Sequence, residues 1–290
     1  MDAFHFNLFA FFSFALGSCI ASFLNVCIWR LPREESVVRP PSHCPECGAR
    51  IKWYQNIPIA SWLALRGRCA NCRKPISPRY VVVEAIGGVL FLLAYLQWAC
   101  PAFMHVPPPL GMAPLASPLA VLAYWLVVTG LILGSFIDLD HFYLPDRVTV
   151  GGMVLGVPAS VLVPELQGET SRLLALYWSL GGLLFGFGFL WGIGWVFTKL
   201  FRKEAMGFGD VKLIGAIGAF FGPLPVLFVI ILSSVIGSVV GIAMMVRGRA
   251  KIGGFTAVPF GPFLALATVA WMHWGVPMLA AYLRTLGVAS

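Results

Sequence analysis

Long stretches without charged side chains are the feature of this 290-residue chain that most restricts its fold. Hydrophobic residues make up 59% of the sequence and charged residues only 11%, whereas soluble domains are roughly 25% charged. The interior of a bilayer offers no water to backbone amides, so a segment that crosses it forms a helix or part of a closed barrel. Apolar stretches of about 20 residues suit helices. The composition therefore predicts an all-α, polytopic membrane protein.

Eight stretches are predicted to span the bilayer. They cover residues 5–29, 81–100, 118–137, 149–164, 174–198, 206–221, 224–246 and 261–283. The sixth is short and ends before Pro223, whereas a span needs about 17 residues or more unless the bilayer thins or other helices shield it. The first follows Asp2 and no basic region, which is typical of a retained helix and not of a cleaved signal peptide.

Lysine and arginine are concentrated on one predicted side of the membrane. Ten of the 20 lie between residues 30 and 80, and eight more lie in the loops after the third, fifth and seventh stretches. Only Arg172 and Arg284 fall on the other side. Because cytoplasmic loops carry the basic excess, both termini are predicted outside and the 30–80 loop inside. This topology and anionic lipid explain the net charge of +8, so the expected partner is the lipid bilayer and not nucleic acid.

The loop between the first two stretches contains two CxxC pairs, Cys44–Cys47 and Cys69–Cys72. Four thiolates suit tetrahedral zinc, and a loop of about 50 residues has too little core to fold without such a staple. We predict a structural zinc at all four cysteines in a small cytoplasmic zinc-knuckle domain. Two disulfides or a redox CxxC are the alternatives, and a reducing cytoplasm disfavours stable disulfides. The predicted divisions are a first helix, the loop domain and a seven-helix membrane domain: 1–29, 30–80 and 81–290.

Two acidic motifs lie at the predicted cytoplasmic ends of apolar stretches. Asp138 ends the third stretch, and Asp210 follows a Gly-Phe-Gly sequence before another apolar run. A carboxylate costs about 2.5–3.5 kcal/mol at the centre of a membrane helix, so an acid at such a place is a functional hypothesis by default. Asp140 lies on a different helix face from Asp138, and Asp146, directly after a proline, is placed to cap the next helix. Asp138 and Asp210 are therefore the predicted catalytic pair.

Two carboxyl groups at hydrogen-bonding distance cannot both ionise, so they share one proton. Such a pair can hydrolyse a peptide bond, because the ionised member activates water while the protonated member donates to the carbonyl oxygen. Gly207 and Gly209 would let a substrate strand approach the backbone closely. The alternatives are an ion or proton relay, or two acids satisfied separately by Lys212 or Arg147.

Over nearly its whole length the sequence resembles the bacterial type IV prepilin peptidases of the GxGD aspartic protease group. The matching motifs occur in the family's order: GSCIASFLNV (17–26), RLP (30–32), the two CxxC pairs, PRY (78–80) with Glu84, DLDHFYLPD (138–146), GFGDVK (207–212) and PFGP (259–262). The resemblance implies that Asp138 and Asp210 cleave the basic leader from type IV prepilins and type II secretion pseudopilins. It also implies a location in the inner membrane, with the active site on the cytoplasmic face.

The resemblance further implies N-methylation of the new terminus, with S-adenosylmethionine as the methyl donor. It marks Gly67, Arg79 and Glu84 as candidates for the donor site, although Gly67 can simply turn the chain and Glu84 can pair with an arginine at a helix start. No Rossmann fingerprint is visible, so the sequence does not place the donor. The residues predicted to shape the site or contact the substrate are Gly207, Gly209, Lys212, Asn25 and Gly261. For Asn25 an interhelical hydrogen bond, and for Gly261 a helix start, are the alternatives.

Two other functions fit parts of the sequence. Intramembrane carboxylates suit an ion-coupled transporter, although no inverted repeat is apparent. The CxxC pairs suit a membrane thiol oxidoreductase. Stoichiometric zinc without thiol-dependent turnover would exclude the oxidoreductase, and solute flux without cleavage would support the transporter.

Overall fold

The computed structural model describes residues 2–99, 117–202, 206–247, 258–285 and 287. The chain divides into two compact units, Met1–Ala99 and Cys100–Ser290. The described residues are helical apart from turns, loops and two isolated β-bridges, which confirms the predicted all-α class. Six helical segments are long and apolar enough to cross a membrane: Ala3–Arg33, Arg79–Ala99, Pro118–His141, Arg172–Leu200, Pro223–Val246 and Gly261–Thr285. The three-part division of the sequence stays a prediction.

The first unit consists of two long helices and the loop that joins them. Helix α1 covers Ala3–Arg30 and α3 covers Arg79–Ala99, and the loop contains the short α2, Ala60–Ala64. The long helices pack through small residues, because a Cβ added to Gly17 would overlap the carbonyl oxygen of Gly87. Close backbone approach of this kind stabilises helix pairs in membranes, where lipid is as apolar as leucine and burial alone gives little.

The second unit contains the remaining helices. These are α4 (Pro118–His141), α5 (Asp146–Leu162), α6 (Arg172–Phe201), α7 (Phe208–Phe221), α8 (Pro223–Val246), α9 (Gly261–Ala270) and, after a π-helical turn at Trp271–Gly275, α10 (Val276–Thr285). Every predicted stretch is therefore helical over most of its described residues, and the described exceptions are Val163, Met206 and Gly207. Residue 100, the predicted end of the second stretch, lies outside the described residues. The predicted number of eight spans stays a prediction, because α5 and α7 have only 17 and 14 residues.

Local sequence explains where several helices begin and end. Ser117 caps α4 by accepting a hydrogen bond from the backbone N–H of Ala120, and Pro118 occupies the first helical position, where no intrahelical partner is lost. Gly222 ends α7 with a φ of 85°, which favours glycine, and Pro223 then begins α8. The predicted end of the sixth stretch before Pro223 is thus confirmed.

Contacts between α4, α7 and α9 show in which directions these three helices run relative to one another. Tyr124, in the first half of α4, lies against Phe221 at the end of α7 and donates to the carbonyl of Met272, just past α9. Asp138, near the end of α4, accepts from the backbone N–H of Gly261, the first residue of α9. Helices α7 and α9 therefore both run antiparallel to α4. We call the end at which α4 finishes the Asp138 end.

The other helices alternate with these. Helix α5 runs parallel to α7, since Asp146 pairs with Lys212 at their starts and Ser160 donates to the carbonyl of Ala219 near their finishes. Helix α6 is antiparallel to α7, since Phe187 packs on Phe208 whereas Gly182, earlier in α6, faces Gly218, later in α7. Helix α8 is antiparallel to α9, as Phe228 and Gly237 contact Trp271 and Phe263 respectively. Successive helices from α4 to α9 therefore run in alternating directions.

The short helix α7 lies in the interior of its unit. Residues 213–221 are all buried, and α5 and α6 pack on its two sides. The α6 contact depends on glycine, because a Cβ on Gly182 would overlap the carbonyl oxygen of Gly218. Hydroxyl groups of Ser160 and Ser179 both donate to the carbonyl of Ala219. A helix that is apolar all round and enclosed in this way is stabilised by its neighbours and not by its own length.

The α6–α7 contact predicts different effects for two adjacent glycines. Gly182→Val should lower the free energy of unfolding by about 1–3 kcal/mol more than Gly181→Val, because overpacking displaces the α7 backbone. A Cβ on Gly181 meets no atom within 4 Å, and both substitutions change helix propensity equally. Denaturant titration of the purified chain in detergent measures the difference. Equal stability of the two variants would contradict the close contact.

Candidate active site and metal centre

Asp138 and Asp210 come from two different helices and approach each other at the Asp138 end. Asp138 lies in the last turn of α4 and Asp210 in the first turn of α7. Their side chains are buried, with 6% and 9% of the residue surface exposed. Asp138 is close enough for its charge to act on Asp210. The sequence placed both acids at helix ends, and the tertiary fold brings these ends together.

The N-termini of α7 and α9 lie beside the two carboxyl groups. The backbone N–H of Gly261 donates to Oδ2 of Asp138 at 2.9 Å, at the point where α9 begins. Asp210 is itself in the first turn of α7. The first amides of a helix lack intrahelical partners and carry partial positive charge, so they stabilise a nearby carboxylate. Gly261 thus both starts a helix and lines the site, and its hydrogen bond to Asp138 was not visible in the sequence.

Leu144 joins the two acidic motifs, a role that the sequence analysis missed. Its side chain is buried, and a Cβ on Gly209 would lie 2.9 Å from the Leu144 Cβ. Cβ atoms on Gly134 and Gly261 would lie 3.2 and 3.3 Å from its Cδ2. Gly209 therefore lets the turn after α4 lie directly on α7. The turn reads Phe142-Tyr143-Leu144-Pro145, so hydropathy alone did not single out Leu144. Gly207, by contrast, is exposed and has an ordinary extended backbone.

A second link between the motifs is an ion pair at their solvent side. Nζ of Lys212 lies 2.6 Å from Oδ1 of Asp146 and 4.9 Å from the ring centre of Phe208. Asp146 begins α5, where the N-cap position is Pro145 and no side chain caps the helix. Asp146 thus contributes negative charge in the first turn and binds Lys212. Lys212 thus ties the start of α7 to the start of α5.

The four cysteines of the loop form one cluster. Their sulfur atoms all lie within 4.8 Å of one another, and the Sγ atoms of Cys44 and Cys72 are 3.9 Å apart. A tetrahedron with zinc–sulfur bonds of about 2.3 Å has edges of about 3.8 Å. The cysteines are free thiols. Donor type, number and spacing therefore fit a zinc ion bound by Cys44, Cys47, Cys69 and Cys72, with no open position for water.

The two CxxC segments have the same backbone shape. In each, the N–H of the first cysteine, Cys44 or Cys69, donates to the carbonyl five residues later, at 2.9 and 2.8 Å. The residue after each second cysteine, Gly48 or Arg73, has a left-handed φ of 66° or 61°. Backbone N–H groups of Cys72 and Asn71 lower the pKa of Cys69 to about 6. The thiolate is the form that binds metal. By lowering the pKa of Cys69, the backbone N–H groups favour this form.

The residues assigned to methylation by resemblance have structural contacts of their own. Gly67 turns the chain with a φ of 65°, and a Cβ there would lie 2.8 Å from the ring of Trp62. Glu84 is buried and accepts from the backbone N–H of Ile59 at 2.8 Å. Arg79 is the first residue of α3. These contacts hold the loop in shape.

Asn25 makes the interhelical bond that was its alternative role. Its side-chain amide donates to the carbonyl of Tyr80 at 3.2 Å. The bond links the later part of α1 to the start of α3. It therefore fixes where the two ends of the loop emerge from the helix pair.

Comparison with known proteins gives two family matches. Residues 15–98 match the bacterial peptidase A24 N-terminal domain, and residues 125–242 match the type IV leader peptidase family. The first match includes the four cysteines of the loop, and the second includes Asp138 and Asp210. No solved structure matches the chain.

Named relatives resemble the chain over most of its length. A prepilin leader peptidase/N-methyltransferase of Myxococcus xanthus is 41% identical over 84% of the chain, and the chain spans 65% of that relative. One of Stutzerimonas stutzeri is 35% identical over 93% of the chain and 92% of the relative. A type 4 prepilin-like proteins leader peptide-processing enzyme of Escherichia coli is 36% identical over 89% of the chain and 91% of the relative.

The cysteine cluster predicts the metal content. The purified chain should contain about one zinc per molecule, and Cys69→Ser should remove most of it because a closed site needs all four thiolates. Cys19→Ser serves as the control, since Cys19 lies on α1 and outside the cluster. Elemental analysis of the purified variants gives the result. Unchanged zinc in Cys69→Ser would rule out this site.

Proposed function

The chain belongs to the type IV leader peptidase family, and on this premise we propose that Asp138 and Asp210 are the acids with which it removes leader peptides from prepilins and pseudopilins. The main support for this proposal is that two buried carboxyl groups from separate helices lie together at one end of the second unit. The names of the relatives support cleavage and methylation together. Neither a transporter nor a thiol oxidoreductase has comparable support.

The contacts of the two acids suggest their roles in hydrolysis. Asp138 receives the N–H of Gly261 at the start of α9, so it is the acid whose ionised form the protein stabilises directly. We assign it the base that takes a proton from water as the water oxygen attacks the scissile carbonyl carbon. Asp210 then donates its proton to the carbonyl oxygen. The departing amine receives a proton as the C–N bond breaks and the two carboxyl groups again share one proton.

Alternating helix directions support eight membrane spans. If α4, α6 and α8 cross the bilayer in one direction, α5, α7 and α9 must return between them, because their ends lie at the same two ends of the unit. With 14 residues α7 is short for a span facing lipid. Because α5 and α6 enclose α7 and shield it from lipid, α7 need not be as long as a helix that faces lipid.

Basic residues support a cytoplasmic position for the two acids. Those at the Asp138 end are Arg147, Lys199, Arg202, Lys212 and Arg247. The described residues at the opposite end contribute Arg172 and Arg284. The positive-inside rule then puts the Asp138 end in the cytoplasm. The chain is a multi-pass protein of the bacterial inner membrane with both termini outside and the cysteine loop inside; residues 248–251, part of the basic pattern, lie outside the described residues.

This position suits a prepilin. A basic leader would stay at the anionic cytoplasmic face while the apolar pilin helix lies in the bilayer, which brings the bond between them to the depth of Asp138 and Asp210. Methylation follows on the same side. S-adenosylmethionine, when bound, would supply the methyl group that replaces one proton of the new terminal amine. Zinc would hold the loop in shape and take no part in either step.

Replacement of either acid tests the proposed dyad. Asp138→Asn and Asp210→Asn should each slow leader cleavage by about 10²–10⁴-fold, because each removes a proton-transfer group. Mass spectrometry of a purified prepilin after incubation with each variant measures the rate. Asp140→Asn is the matched control, since Asp140 is exposed at the end of the same helix. Full cleavage by either dyad variant would refute the assignment.

The hydrogen bond from Gly261 gives a subtler test. Gly261→Ala would place a Cβ 2.8 Å from Oδ2 of Asp138, so the carboxylate must move. We expect kcat for leader cleavage to fall about 10- to 100-fold with little change in KM, because small displacements of a catalytic group are costly. Gly130→Ala, whose Cβ would meet only Val148 at 3.8 Å, controls for the added methyl group. Wild-type kcat in Gly261→Ala would show that the contact does not position Asp138.

A further inference from the structure

We infer that a pocket in the first unit, between α1 and the loop, binds S-adenosylmethionine with the Arg30 guanidinium on its carboxylate. The inference rests on the proposed methylation and adds a site to it. The pocket has a volume of about 330 Å³, within the roughly 300–1,000 Å³ of small-molecule sites. One wall is the α1 face that contains Ser22, Phe23 and Val26, and the others are the loop segments 37–42 and 56–58.

Arg30 is the buried cation of this pocket. Only 8% of its surface is exposed, and its two terminal nitrogens donate to the carbonyls of Ser36 and Pro40 at 2.8 Å each. A guanidinium has five N–H groups, so three remain after these bonds. No carboxylate among the described residues lies within ion-pair distance of Arg30. A buried charge is costly without an opposite charge, and an anionic ligand group in the pocket would supply it.

The other lining groups suit the remaining parts of the donor. Ser22, Ser42 and Asn56 offer hydroxyl and amide groups for ribose hydroxyls and the adenine edge. Phe23 offers an aromatic face for the adenine ring or the sulfonium cation. A mostly apolar wall with a few polar groups and one charge is typical of small-molecule sites. The carboxylate, the adenine ring and the ribose hydroxyls of S-adenosylmethionine therefore each have a partner group among the lining residues.

The wall at residues 56–58 is held by Glu84. Its carboxylate accepts from the N–H of Ile59, directly after Pro58, at 2.8 Å. Ile59 has a φ of 61° and a ψ of −54°, a conformation that a β-branched residue adopts only when its surroundings impose it. Strain of this kind concentrates at ligand sites. Glu84 is therefore a positioning residue for the pocket wall and does not itself touch the donor.

Filling the pocket tests the inference directly. Val26→Trp should weaken binding of radiolabelled S-adenosylmethionine to the full-length chain at least tenfold, and Arg30→Gln should do the same by removing the charge. Leu16→Trp is the matched control, because Leu16 is an exposed aliphatic residue on the same helix and outside the pocket. Equilibrium binding in detergent gives the affinities. Leader cleavage and zinc content report whether each variant has folded.

Ultraviolet cross-linking of the bound label gives a second readout. The labelled peptide should come from residues 19–58, and unlabelled S-adenosylmethionine should compete for it. Wild-type affinity in folded Val26→Trp and Arg30→Gln, or label mapped to another segment, would overturn the pocket while leaving methylation in place. Failure of the wild-type chain to bind or to methylate would overturn the proposed methylation as well, so the two failures are distinct.

Discussion

Two carboxyl groups held together away from water are the constraint on which the second unit depends. Burying one carboxylate is costly, and a second beside it adds repulsion that a low-dielectric interior screens poorly. Asp210 lies in the first turn of α7, and Asp138 receives an N–H from the first residue of α9. Partial positive charge at these helix starts offsets part of the cost. The alternating directions of the helices therefore serve the chemistry as well as the packing.

Close backbone packing makes this arrangement possible. A 14-residue helix such as α7 has little stability of its own, and its contact with α6 exists because Gly182 and Gly218 have no side chains. Gly209, next to Asp210, likewise lacks a side chain, and this allows Leu144 to pack directly against the start of α7. Side chains at these positions would separate the motifs that carry the two acids. In this unit, glycines allow the helices that carry the two acids to pack closely, and the starts of α7 and α9 place partial positive charge beside the acids.

The loop of the first unit is held together by other interactions than those of the second unit. Its loop is too small and too polar to fold by burying a core, so the four cysteines, paired knuckle hydrogen bonds and the buried Glu84 carboxylate hold it. These fixed points leave room between α1 and the loop, and Arg30 projects into it. A loop held in shape beside the buried Arg30 guanidinium offers the carboxylate of a small-molecule donor a fixed contact. Membership of a family with peptidase/N-methyltransferase relatives supports the methyl-donor role that we propose for this pocket.

The sequence by itself determined the helical class, the approximate positions of the long apolar helices, the zinc-type spacing and the two candidate acids. Hydropathy, CxxC spacing and a charge beside an apolar run are local signals. The sequence could not determine that α7 is enclosed between α5 and α6, or that Leu144 and the Gly261 amide complete the site. Nor did it reveal the pocket at Arg30. Those features depend on which helix faces meet and at what distance, and contacts between residues more than 100 positions apart, such as Asp138 with Gly261, have no local sequence signal. Only the tertiary structure, through glycine contacts and converging helix starts, decided them.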